Sequence, residues 1–284
     1  MFNMKAVEPR QLGPGSRFRF LCHKQISCFT HCCSNVDIML TPYDILRLKR
    51  RLGVSSGEFL EKYTIVRVDK QSTHPYAYLK MGDGADRKCP FVVVPDGCAV
   101  YTDRPVSCRY YPVGQGTLKK SAESGEVRHE EFYFFVREKH CMGYKEKNEW
   151  TIDSWKDDQE ITLYDGMNRE WKQLLMRRNL PGQPGLDDKK KMLFFMSSYD
   201  LDKFRGFVFG SRFLEIFDIP EAEVEEIKSS EEALMKLGFK HLKFVLGLEQ
   251  TLKVRESVLK DREAQAKQAK AARNAAKDKK PEEK

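Results

Sequence analysis

Eight cysteines are the residues of this chain best suited to chemistry: Cys22, Cys28, Cys32, Cys33, Cys89, Cys98, Cys108 and Cys141. Four of them fall within LCHKQISCFTHCCSN at 21–35, and none occurs after 141. Thiolates are soft ligands that suit zinc, copper(I) or iron–sulfur clusters, whereas magnesium and calcium take oxygen. In the opening C-x5-C-x3-C-C pattern, only Cys28 and Cys32 have the close spacing of a structural zinc knuckle. Neighbouring side chains project in different directions, so the adjacent Cys32 and Cys33 serve two metal atoms more readily than one. Eight ligands divide into two sets of four, or into a four-cysteine cluster and a second role.

The later cysteines are joined by tight turns at Pro90, Pro95 to Gly97, and Pro105, within CPFVVVPDGCAVYTDRPVSCRYYPVG. Arg104 and Arg109 lie close to Cys108. Four thiolates around a divalent ion carry a net charge of about −2, which nearby guanidinium groups would help to hold. His23, His31 and His140 each sit beside a cysteine, and imidazole binds zinc and iron. A loop histidine at the surface gives the same letters, so the predicted ligand set is the eight cysteines alone.

Two other uses of these thiols need weighing. A lone cysteine is usually a small buried hydrophobe, but eight clustered in a chain with 32% charged residues are not explained that way. Cys141 with His140, or Cys33 with His31, could form a nucleophile and base, yet catalytic pairs are assembled in space, so adjacency in sequence assigns no catalytic residue. The chain has no G-x-G-x-x-G, P-loop, G-x-S-x-G or H-E-x-x-H, and so no common nucleotide or hydrolase signature.

The elements that must position the cysteines follow from caps and periodicity. Thr41, Pro42 and Asp44 form a helix start, with Ile45, Leu46, Leu48 and Leu52 as its apolar face and Gly53 as its stop. Ser55 or Ser56 caps a second short helix carrying Phe59, Leu60 and Tyr63, which makes a helical hairpin. Strands are predicted at AYLKM (77–81), FVVV (91–94), CAVY (98–101) and FYFFV (132–136), with MGDGADR, PDG and GQGTLKKSAESGE as turns. From Thr151 the pattern is helical: Ile161, Tyr164, Met167, Trp171, Leu174 and Leu175 share a face, and NLPGQPG ends that helix. Further helices are predicted in DDKKKMLFFMSSYD, LDKFRGFVFGSRFLEIFDIP and SSEEALMKLGFKHLKFVLGL, the last opened by Ser229 and Glu232 at capping-box spacing. Trp150, Trp155 and Trp171 are expected to pack this helical part. The predicted class is α+β: a cysteine-rich metal-binding module at 16–150, a helical region at 151–251, and a charged tail at 252–284 that frays toward Lys284.

The first twenty residues lack the apolar run of a secretory signal, and no eighteen-residue apolar stretch occurs, which predicts a soluble, cytoplasmic protein with no membrane partner. Reductants there keep thiols free, so metal or catalysis explains the cysteines better than disulfides. Much of the excess behind the net charge of +8 sits in KQAKAARNAAKDKKPEEK, a solvated run. A DNA-binding helix-turn-helix at 41–63 is disfavoured because RLKRR (47–51) lies on the first helix while the second is acidic. Nucleic acid is therefore not the expected partner; an unidentified protein or redox partner is.

Five segments in order, CHKQISCFTHCC, LTPYDILRLKRRLGVSSGEFLEKY, KCPFV, GCAVYTDRPVSCRYYPVG and CMGY, resemble the YkgJ-like cysteine-cluster family, a zinc- or iron-chelating domain, over roughly residues 18–145. The resemblance implies all eight cysteines as metal ligands. A similar cluster occurs in flagellin lysine methylases, where an iron–sulfur cluster is implied, so a cluster-dependent methyltransferase is one expectation. The leading expectation is an iron–sulfur protein with a second metal site and a redox or electron-transfer role, because adjacent thiols fit several metal atoms and paired zinc knuckles are missing. A structural zinc module for protein interaction is the alternative.

Overall fold

In a computed structural model describing residues 7–8, 11–121, 127–178 and 185–277, the Thr41-Pro42-x-Asp44 signal opens α1 (Pro42–Leu52). Thr41 Oγ1 accepts the Asp44 N–H at 3.2 Å and Asp44 Oδ2 accepts the Thr41 N–H at 2.8 Å, so each end of the box satisfies a helix-start donor. Gly53 ends the helix in the left-handed region at φ 66°, where a Cβ would be strained. Ser55, not Ser56, caps α2 (Ser56–Tyr63), in a second box with Glu58. Ser56 is buried instead and donates to Asp200 Oδ1 at 2.6 Å.

The class is α+β, and the chain divides into two compact units, Met1–Asp200 and Leu201–Lys284. In the first unit, β1 (Arg17–Arg19) and β8 (Glu149–Thr151) pair antiparallel, with Phe18 opposite Trp150, and so join the two ends of the cysteine-bearing segment. Between them β2 (Thr64–Val68) pairs with β3 (Pro75–Leu79), β4 (Val92–Val93) with β5 (Gly97–Cys98), and β6 (Val113–Ser121) with β7 (Val127–Phe135), all antiparallel. A short α3 (Val106–Tyr110) carries Cys108.

Two strand predictions and one turn prediction need correction. FVVV and CAVY supply only β4 and β5, two residues each, with Phe91 and Val100 buried beside them. GQGTLKKSAESGE is not simply a turn: β6 runs through its first half to Ser121, while 122–126 lie outside the described residues. Its glycines are the reason. Gly114 and Gly116 stand opposite Phe134 and Phe132, and a Cβ at either would come within 2.3 or 2.4 Å of the facing ring. Cross-strand aromatic packing thus recovers what glycine entropy costs a strand.

The first unit continues through α4 (Ile152–Asp158), α5 (Ile161–Arg178) and α6 (Asp188–Tyr199). Ile161, Tyr164, Trp171 and Leu174 are buried as the periodicity predicts, while Met167 and Leu175 are half-buried. Of the predicted stop NLPGQPG (179–185), all but Gly185 lies outside the described residues. Of the three tryptophans only Trp171 packs the long helices, donating to Ser198 Oγ at 3.1 Å. Trp155 meets the rings of Phe18 and Phe20, and Trp150 donates to Phe20 O at 2.8 Å, so both anchor the chain entering the cysteine loop.

The second unit holds α7 (Leu201–Gly210), α8 (Phe213–Ile216), α9 (Glu221–Ser229), α10 (Glu231–Val245) and α11 (Glu256–Lys277), around Phe204, Phe213, Leu234 and Phe239. Ser230, not Ser229, caps α10, accepting the Ala233 N–H at 3.1 Å; Ser229 belongs to the end of α9 and bonds back to Glu225 O. In the segment from 252 onward Leu252 is buried and Leu259 exposed. The end expected to fray, 278–284, lies outside the described residues. Among the described residues no helix is long and apolar enough to cross a membrane.

Candidate metal centre

Local backbone geometry gathers the cysteines into one region of the first unit. Cys32 and Cys33 lie on a 3-10 turn, His31–Cys33, entered through Thr30 at φ 66°. Cys89 N–H donates to Cys33 O at 2.7 Å, which fixes the KCPFV segment against that turn. On the other side Met142 N–H donates to Cys28 Sγ at 3.1 Å, and Leu21 N–H donates to Gly143 O at 3.1 Å. Two glycines permit this closeness. A Cβ at Gly97, next to Cys98, would meet the Phe29 ring at 2.8 Å, and one at Gly143 would meet Phe20 at 2.7 Å and Leu21 O at 2.9 Å. A glycine one or two residues from a cysteine was the sequence signal for these close approaches.

The thiols sense one another in two groups. Burial, followed by Cys32, Cys28 and Cys141, pushes Cys22 up to about 12. Burial pushes Cys89 up to about 11, with Cys98 and Cys32 adding to it. Cys108 is raised by burial and then by Cys89, Cys98 and Cys32. In the adjacent pair the hydrogen bond between the two thiols lowers Cys32 and raises Cys33, which Cys108 and Cys89 raise further. Cys22, Cys28 and Cys141 therefore form one group and Cys33, Cys89, Cys98 and Cys108 another, with Cys32 acting on both.

Three sulfurs also share a local device. Cys89, Cys98 and Cys141 each accept the backbone N–H two residues on, from Phe91, Val100 and Gly143, and each bond eases the thiolate form. All eight cysteines are free thiols. Among the described residues no three His, Cys, Asp or Glu side chains yet converge closely enough to hold an ion. The donor set nonetheless fits a soft cation, since clustered, mutually repelling thiols with N–H groups aimed at sulfur are what a bound metal stabilises.

The two arginines predicted beside the site separate. Arg104 is buried, lies 3.8 Å over the Tyr101 ring, donates to Tyr101 O at 2.6 Å, and is attracted by Cys108 and Cys98. Arg109 instead ties loops to helices: it donates to Arg104 O at 3.0 Å, Gln159 O at 2.9 Å, Tyr164 Oη at 3.0 Å and to Thr102 O. Tyr111 has no signal in the spacing; its buried hydroxyl completes no hydrogen bond but lies within reach of Cys141, whose thiolate it favours. His23 is drawn toward Glu146 at 3.6 Å, whereas the rings of His31 and His140 meet edge-on at 5.2 Å.

Residues 21–154, just under half of the chain, match the CxxCxxCC family model, described as a "putative zinc- or iron-chelating domain". This segment is similar to the CxxCxxCC domain. Its C-x5-C-x3-C-C opening is wider than the C-x2-C-x2-C-C in the family's name, yet the adjacent pair is kept. No curated protein and no solved structure matches the chain. The CxxCxxCC match agrees with the cysteine-cluster resemblance and with metal chelation.

Proposed function

We propose that the CxxCxxCC domain holds an iron–sulfur cluster, with a second metal position, and exchanges electrons with a protein partner in the cytoplasm. The supporting observation is the place of Cys32, which acts on Cys22 and Cys141 as well as on Cys33, Cys89 and Cys108. A thiol facing both groups suits ligation of several metal atoms better than two isolated tetrahedra. The ligands are the eight cysteines. Bound there, a cluster supplies reversible one-electron chemistry. The chain's own part is to hold negative charge. The N–H groups of Phe91, Val100, Met142 and Gly143 point at sulfur, Arg104 brings a buried positive charge, and the rings of Phe20 and Phe29 pack against the loops.

A second reading, structural zinc, draws on the three cysteines with N–H donors two residues on, a turn that serves a single tetrahedral ion equally well. Anaerobic purification with metal analysis and an absorption spectrum separates the two. The cluster reading expects brown protein with iron, acid-labile sulfide and absorption near about 400 nm, reduced in Cys32→Ser. Colourless protein with stoichiometric zinc overturns it in favour of the second reading.

A further inference from the structure

We infer that His140 is a nitrogen ligand of the metal centre, acting through Nε2 on the side of Cys22, Cys28 and Cys141. The inference rests on the metal-binding reading above and adds a donor of a different chemical class. His140 Nε2 is enclosed by protein and has no hydrogen-bond partner. A buried polar atom left without a partner is destabilising, so it calls for an occupant. The loop around it is held rigidly: Cys141 N–H donates to Glu138 O at 2.9 Å, and Met142 N–H donates to Cys28 Sγ at 3.1 Å. The imidazole thus sits on a backbone segment already tied to two cysteines of that group. Its ring is backed edge-on by His31, 5.2 Å away at 82°, which limits its rotation.

Charge gives the reason for an imidazole here. Each further thiolate around one ion adds a negative charge that the site must hold. A neutral imidazole donates a lone pair without adding charge, and exchanging thiolate for imidazole on iron raises its reduction potential. His31 is exposed and serves as the wall of the His140 site, not as a ligand.

The test uses full-length, anaerobically purified protein, reduced and studied by pulsed EPR, with histidine-specific ¹⁵N labelling; zinc-loaded protein is exchanged with cobalt(II) first. The expected result is a strongly coupled histidine nitrogen in wild type, retained in His31→Gln and lost in His140→Gln. Metal-loaded wild type with no histidine coupling, or coupling that survives in His140→Gln, overturns the ligand and leaves metal binding intact. Wild type that takes up no metal overturns both. If His140→Gln does not fold, the labelled wild-type spectrum decides alone.

Discussion

Asp44 Oδ1 accepts the backbone N–H of Val106 at 2.8 Å, across 62 residues of chain. The same carboxylate accepts the Thr41 N–H through Oδ2 at 2.8 Å, so one fully buried side chain joins the start of α1 to the start of α3, two residues before Cys108. Burial pushes this carboxyl up to about 6, against the pull of its backbone donors and of Arg109. Asp44→Asn keeps one acceptor and loses the other, and an orphaned buried N–H costs about 1–3 kcal/mol. Urea unfolding of the metal-free protein should show a loss in that range, larger in Asp44→Ala. An unchanged midpoint in Asp44→Ala would mean that the link carries no stability.

Gly143 and Gly57 make a matched pair of alanine substitutions. At Gly143 the new Cβ meets Phe20 at 2.7 Å and the Leu21 carbonyl at 2.9 Å, and the second contact is backbone that cannot swing aside. At Gly57, inside α2, nothing lies within 4 Å. Gly143→Ala should lower the thermal midpoint and weaken metal retention, because Leu21 and Cys141 flank the contact. Gly57→Ala should be neutral or stabilising by up to about 1 kcal/mol through helix propensity. Equal effects of the two would show that the close approach at Gly143 does not matter.

The helical hairpin and α5 were legible because their signals are local: a capping side chain, a left-handed stop and a 3.6-residue period are each complete within one turn or two. The β6 strand was not, because Gly114 and Gly116 make sense as strand residues only once Phe134 and Phe132 stand opposite them. For the site, the sequence supplied the thiols and their clustering. It could not say that Cys32 acts on both groups, since that depends on bringing 28–33 near both 89–108 and 141–143. Arg104 and Arg109 looked alike in sequence, and only their partners distinguish the charge near the cysteines from the clamp.

Arg109 is the clamp, and its fork is what the clamp requires. The side chain is 2% exposed and its three nitrogens reach carbonyls of Thr102, Arg104 and Gln159 as well as Tyr164 Oη. Lysine keeps the charge but presents a single ammonium that cannot span these positions. Arg109→Lys should therefore cost about 2–4 kcal/mol, from two or more lost bonds and the carbonyls they leave behind. Denaturant unfolding checks this. A loss below about 0.5 kcal/mol would show that charge alone, and not the planar fork, holds the junction.

His241 sets the acid limit of the second unit. It is 3% exposed, with the rings of Phe204, Phe207 and Phe213 at 5.8, 5.7 and 5.4 Å, and burial lowers it to about 4. Its folded value lies below the ordinary 6.5, so the native state binds fewer protons than the unfolded chain. The contribution is complete above about 6.5 and is lost as pH falls through about 4. A shift of this size corresponds to roughly 3 kcal/mol. Two-dimensional NMR of the imidazole should give a titration midpoint near 4, and hydrogen exchange in α10 should quicken as pH falls over that window after correction for intrinsic rates. His241→Leu should remove the pH-dependent part of that change. A midpoint near 6.5 in the folded protein would place the ring in water and not among the phenylalanines.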